Sequence, residues 1–267
     1  MTPLPRPAAS IHASATPAAA PDPVAGNLRR LPGGPLGRPV YLWSYGFYGP
    51  PLIAFPTSGG YAHEWQQNGM VEALRPLLAA GRLKLYCPET NVADAWMHGT
   101  DHPRDRVRLH QRYEQWVTEV LVPHIWEDCR GALPIWTAGA SVGAMYAAAM
   151  TLKHPALFSW ALCLSGRYDA RSFTDGFDNS DIYHSNPMAF ARGIQGEQRA
   201  ALRARSSISL VCGQGRYESN CLAETRAMAG HLRHAGLPHE LDVWGKDVHH
   251  EWPWWHRQAL YHIGRRT

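Results

Sequence analysis

The sequence has no CxxC pair, no basic stripe, no repeat with a period of roughly 20 to 50 residues, and no apolar run near the ~18 residues that cross a bilayer. Each absence excludes something. The five cysteines, Cys87, Cys129, Cys163, Cys212 and Cys221, are odd in number and scattered, so they suit neither a disulfide framework nor a zinc knuckle; they are expected to be reduced, mostly buried thiols. The opening "MTPLPRPAASIHASATPAAAPDPVAGN" lacks the apolar core of a secretory signal. With no membrane span predicted either, the cytoplasm is the expected compartment. A net charge of +4 needs a clustered cationic face to imply a nucleic-acid partner. Arg29, Arg30, Arg265 and Arg266 lie near the ends, and Arg104, Arg106 and Arg108 alternate with Asp101 and Asp105, which reads as a solvated helix start. HExxH is missing, and His249 and His250 are adjacent rather than one helical turn apart, so no metal or cofactor is expected.

What is present suits one sizeable core: 267 residues, 45% of them hydrophobic, with eleven Trp and eleven Tyr. Residues 1–27, dominated by Pro, Ala and Ser, are expected to form a disordered tail, because they bury too little apolar surface to offset the entropy of ordering. Residues 28–267 then alternate short β-type runs with helical ones, the rhythm of an α/β fold with a mostly parallel sheet and helices on both faces. "PVYLWSYG", "PLIAFP", "LKLYCPE", "LPIWTAG", "FSWALCLSG", "SISLVCGQG" and "HELDVW" read as strands. Trp65–Ala80, Asp105–Cys129, "VGAMYAAAMTLKHP", Asn220–Ala235 and the segment from Trp252 read as helices. Residues 167–205 show no clear periodicity and are expected to form an irregular, cap-like excursion.

At the junction of a predicted strand and a predicted helix stands Gly139-Ala140-Ser141-Val142-Gly143, a Gly-x-Ser-x-Gly motif. A serine on so tight a turn takes a sparsely populated backbone conformation, and its neighbours must be small because the flanks nearly touch. The turn lifts the hydroxyl off the sheet and leaves the Val142 amide at a helix start, where negative charge is favoured. A nucleophilic serine needs a base, and the base needs an acid to fix its tautomer. His249 and His250, in "WGKDVHHEWPWW", follow a late strand and precede the last helix. Glu218, after the strand "SISLVC", and Asp169, after the strand before it, are the rival acids; Asp247 is too near the histidines in sequence to reach behind the ring. The loop "FPTSGGYAHEW" follows an early strand, and Ser58 or Gly59 there would supply a second amide to an oxyanion. Trp252, Trp254 and Trp255 read as anchors of the last helix rather than as a ligand platform.

Together, "FPTSGGYAHEW", "GASVGAMYAA", "GQGRYESN" and "HEWPWWHRQAL" resemble the esterase D-like branch of the α/β-hydrolase superfamily, which also includes feruloyl esterases and mycolyltransferases. The likeness spans about residues 39–260. It implies a serine carboxylic-ester hydrolase working through an acyl-enzyme on a small-molecule ester, with Ser141 as nucleophile, His250 rather than His249 as base, and Glu218 as acid. It also implies an oxyanion hole from Val142 and Ser58, and a substrate wall that includes Gly59, Tyr61, Asp169 and Tyr183. Where the family has His-Gly at the end of the oxyanion strand, this chain has Pro56-Thr57. The same constellation serves acyl transfer or amide cleavage, and a non-catalytic ligand-binding protein is a further alternative. Ester specificity and homo-oligomerisation are left open.

Overall fold

The computed structural model describes residues 22, 24–97 and 101–267. Eight strands form one sheet: β1 (Asn27–Leu31), β2 (Val40–Tyr45), β3 (Pro51–Phe55), β4 (Lys84–Pro88), β5 (Ile135–Ala140), β6 (Phe158–Leu164), β7 (Ser207–Cys212) and β8 (His239–Val243). Their spatial order is β1-β2-β4-β3-β5-β6-β7-β8, with β1 and β2 antiparallel to their neighbours and the rest parallel. From β3 the chain steps outward to β4, then returns beside β3 as β5 and runs the other way through β6, β7 and β8. The C-terminal ends of β3 and β5 are thus a topological switch point, where an open α/β sheet leaves a crevice.

The helices are α1 (Glu64–Gln67), α2 (Met70–Ala73), α3 (Arg75–Ala79), α4 (Pro103–Trp116), α5 (Val122–Asp128), α6 (Val142–Lys153), α7 (Ser180–Ser185), α8 (Pro187–Gly193), α9 (Gly196–Arg205), α10 (Ser219–His234) and α11 (Trp252–Gly264). Apolar residues of α4, α5, α6 and α10 pack one face of the sheet, among them Val107, Trp116, Ile125, Met145 and Met228. Trp65, Met70 and Leu78 of α1–α3 and Leu74 at the junction of α2 and α3, with Trp255, Ala259 and Ile263 of α11, cover the other. Burial on both faces explains why β3 and β5 carry near-continuous apolar runs.

Several elements differ from the sequence expectation. The predicted helix over Trp65–Ala80 is three short pieces, because Gly69 adopts a left-handed conformation (φ 79°) and Pro76 begins a new turn. The predicted helix over Asp105–Cys129 is continuous in path, yet Val117–Leu121 between α4 and α5 is a π turn in which the Val122 amide donates to the Val117 carbonyl five residues back. The wider turn admits Pro123, which has no amide to donate. The excursion at 167–205 is not irregular: it holds a 3₁₀ turn (Ala170–Phe173) and the helices α7, α8 and α9. Asn179 and Asn186 cap α7 and α8 by accepting from the Ile182 and the Met188 and Ala189 amides.

Of the three arginines read as solvated, Arg106 is buried. Its guanidinium donates to the carbonyls of Trp96 (2.7 Å) and Phe173 (3.0 Å), tying α4 to the excursion. The tail expected over residues 1–27 lies mostly outside the described residues. Its last part is docked: Val24 is buried, Asp22 accepts from the Val24 amide and pairs with Arg75, and β1 begins at Asn27. All five cysteines are free thiols, and four are buried.

Glu114 on α4 is buried between Lys153 on α6, which donates to it, and His110, 3.3 Å away. Burial acts to raise its carboxyl, but His110 and Lys153 outweigh that and hold it at about 2, below the ordinary 4.5. A depressed folded value means the stabilisation is complete above the unfolded value and is lost as pH falls towards the folded one. The expected result is a urea midpoint that falls between pH 4.5 and 2, Glu114 accounting for on the order of 3 kcal/mol. In Glu114→Gln that component of the pH dependence should vanish.

Candidate active site

Ser141 lies between β5 and α6 with φ 55° and ψ −121°, a conformation that non-glycine residues rarely adopt. The turn is locked by its surroundings. The Ser141 amide donates to Leu164 O (2.9 Å), and its carbonyl accepts from Ala144 (3.2 Å) and Arg167 (3.1 Å). A Cβ on Gly139 would lie 2.2 Å from the Gly143 carbonyl oxygen, and one on Gly143 would lie 2.5 Å from that of Pro56. Both contacts are with backbone, which has no rotamer in which to escape. Gly139→Ala is therefore expected to lower stability by roughly 3 kcal/mol or more, read as a shifted urea midpoint.

Glu218 stands at the N-cap position of α10, where its side chain makes no capping bond to the helix, and is fully buried. Its Oε2 is 3.3 Å from His250 Nδ1 and accepts from Cys212 Sγ (3.4 Å), while Oε1 accepts from Ser165 Oγ (2.5 Å). Ser165 Oγ in turn accepts from Trp255 Nε1 (3.0 Å) on α11. Burial alone would raise the Glu218 carboxyl; the hydrogen bonds from His250 and Ser165 outweigh it and leave the group below its ordinary value. It is thus a carboxylate at neutral pH. Burial also pushes the neighbouring Cys221 thiol up to about 12 and raises Cys212, so both are neutral thiols.

His250 is placed from three sides. Its amide donates to Arg216 O (3.1 Å), Trp255 presents its ring at 4.9 Å and 86° to the imidazole, and Nδ1 faces Glu218. The loop carrying the acid and the loop carrying the histidines are stitched together: Gly215 N donates to Val248 O (2.8 Å), Arg216 N to His249 Nδ1 (2.9 Å), and Arg216 pairs with Glu251 (2.6 Å). His249 is therefore a latch between loops, and only His250 meets the acid. Asp169, the rival acid, is held by Arg171 (2.6 Å) and Asn186 (2.8 Å).

Ser141, His250, Thr57, Ser58, Glu251, Trp252, Pro253 and Trp255 line a cleft of about 430 Å³ at the switch point between β3 and β5. That volume suits a small organic ligand. Val142 opens α6, so its amide precedes the intrahelical ladder and has no partner within the helix. Thr57, at the departure from the family pattern, donates its amide to the buried Glu64 (2.7 Å), which tethers the loop that presents Ser58. The expected wall residues stand outside this lining. Tyr61 is exposed and stacks on His63, Gly59 lies over the Glu64 carboxylate, and the Tyr183 hydroxyl lies against Gly193. Trp252, Pro253 and Trp255 of α11 line the cleft instead, so the tryptophan cluster read as an anchor also forms wall.

A larger cavity, about 960 Å³, lies at the opposite strand ends, lined by Tyr48, Pro51, Lys84, Arg130 and Trp136 among others. It holds none of the Ser141, Glu218 and His250 chemistry. Sequence reasoning did not single out Ser165 or Cys221. Ser165 sits at the end of β6 in a left-handed conformation (φ 46°) and meets Glu218 from 53 residues away; its one local sign was the serine before Gly166.

No protein-family profile matches the sequence, and no curated protein matches it. Solved structures match the fold. A ferulic acid esterase superposes with a TM-score of 0.69 at 18% identity, covering 91% of this chain and 98% of its own. Mycobacterium tuberculosis MPT51 (FbpC1) gives 0.68 at 14% identity, covering 90% and 97%. The S-formylglutathione hydrolase FrmB from Staphylococcus aureus gives 0.64 at 14%, covering 90% and 95%. The fold is that of the α/β hydrolases. Among the described residues no helix is long and apolar enough to cross a membrane.

Proposed function

We propose that the protein is a serine carboxylic-ester hydrolase in which Ser141, His250 and Glu218 act as nucleophile, base and acid. The observation that carries this reading is the contact of Glu218 Oε2 with His250 Nδ1 at 3.3 Å, in a cleft that His250 shares with Ser141. A carboxylate at Nδ1 keeps the proton there and leaves Nε2 free to accept one. His250 takes the Ser141 proton as Oγ attacks the ester carbonyl; the amides of Val142 and Ser58 hold the oxyanion; His250 then protonates the leaving alcohol. Water activated by the same imidazole releases the acid. Each oxyanion donor is worth on the order of 100-fold in rate. The ferulic acid esterase and S-formylglutathione hydrolase neighbours support ester chemistry on this fold.

A fluorophosphonate probe followed by peptide mapping tests the assignment, with turnover of chromogenic esters of increasing acyl length measured in parallel. The expected outcome is one adduct, on Ser141, together with ester turnover. An adduct on another residue, or no turnover across the series, rejects the reading.

A further inference from the structure

Behind the base, the first turn of α10 brings a third donor to the point where acid and imidazole meet. Cys221 Sγ lies 3.7 Å from His250 Nδ1, Glu218 Oε2 lies 3.3 Å from the same nitrogen, and one ligand atom from each of the three residues falls within 4.8 Å of the others. Tetrahedral zinc bonds of about 2.0 Å to nitrogen or oxygen and about 2.3 Å to sulfur imply edges of about 3.3 Å for N···O and about 3.6 Å for N···S. The two separations from Nδ1 already match those edges. One carboxylate, one imidazole and one thiol, drawn from two chain segments, make an oxygen, nitrogen and sulfur set of the kind that divalent zinc and its softer relatives take.

We propose that Glu218, Cys221 and His250 form an inhibitory site for a thiophilic divalent cation, zinc or cadmium, lying behind the imidazole. The inhibition rests on the hydrolase reading; the binding does not. On binding, the Cys221 thiol loses its proton to solvent and a sulfur–metal bond forms. The imidazole gives its Nδ1 lone pair to the metal and carries its proton on Nε2, so its own proton count is unchanged. The tautomer is thereby reversed. Nε2 becomes a donor and no longer accepts a proton from Ser141, while Glu218 is drawn from the ring to the metal. The cation thus silences the base without entering the substrate cleft.

Cadmium reports the binding directly through the ultraviolet thiolate-to-cadmium charge-transfer band, independently of turnover. The expected result is one cadmium per chain with that band in wild type and in Cys129→Ser, and loss of the band in Cys221→Ser. The Cys129 control is needed because that thiol is the least buried of the remaining four. In ester assays, stoichiometric zinc should remove most of the activity and EDTA restore it. With each protein's activity referred to its own metal-free rate, Cys221→Ser should need on the order of 100-fold more zinc for the same fractional loss, no smaller a penalty than loss of an outer-shell partner carries. A band that persists in Cys221→Ser, equal zinc sensitivity of the two proteins, or metal bound with turnover intact would each overturn the proposal. If circular dichroism shows Cys221→Ser unfolded, the cadmium titration is repeated on His250→Gln, where unchanged affinity overturns it. Should no ester be turned over by any form, the cadmium measurement still decides the binding, and the failure belongs to the hydrolase reading.

Discussion

Ser141→Ala is expected to lower kcat on chromogenic esters by on the order of 10⁵-fold or more, the scale seen when a triad nucleophile is removed. KM should change little, because the hydroxyl contributes to bond formation rather than to holding the ester. The protein should remain folded. The left-handed backbone at 141 is fixed by bonds from the main chain to Leu164, Ala144 and Arg167, none of which involves the hydroxyl. The check is a steady-state series alongside a thermal melt. Ser141→Gly should match the loss of activity while melting higher, since glycine at φ 55° removes strain of order 1 kcal/mol. A Ser141→Ala protein with near-normal turnover would remove this residue from the chemistry.

Glu218→Gln is expected to cost on the order of 10⁴-fold in kcat. The amide keeps the shape of the carboxylate but removes its charge, and its NH₂ group, turned toward His250, places a donor against Nδ1. The imidazole then carries its proton on Nε2, facing the wrong way for catalysis. Asp169→Asn should leave the rate within a few-fold of wild type, because that carboxylate is committed to Arg171 and Asn186. A rate loss in Asp169→Asn equal to that in Glu218→Gln would mean that the acid has been wrongly assigned. Ser165→Ala separates positioning from catalysis. It removes one of the hydrogen bonds that keep the buried Glu218 ionised, so the acid limb of the pH–rate profile should move upward while the rate at higher pH changes less.

Sequence patterning revealed the parallel core because strands buried on both faces leave a local mark: "LPIWTAG" and "FSWALCLSG" are predominantly apolar and bounded by breakers. The edge was harder to read. β1, "NLRRL", is exposed along four of its five residues and owes its strand conformation to pairing with β2 rather than to its own composition. α7, α8 and α9 escaped because each spans only six to ten residues, too few turns for a periodic stripe to stand out. The capping asparagines, with Pro187 directly after Asn186, were the available sign. At the site, the serine elbow was legible because its constraints are local: small residues at fixed spacing around a hydroxyl. The choice between His249 and His250 was not local, since it depends on which ring the Arg216 amide occupies and which one Glu218 meets. The same holds for Ser165 and Trp255, joined across 90 residues by a bond no spacing rule anticipates.

The order of the strands along the chain carries a consequence for synthesis. The nucleophile's turn is complete once β6 has emerged beside β5, whereas the loops after β7 and β8 that carry the acid and the base, and the helix that braces them, leave the ribosome later. A nascent chain therefore exposes its serine long before anything can take that serine's proton, and a chain halted after residue 246 would be silent however well its first strands had folded.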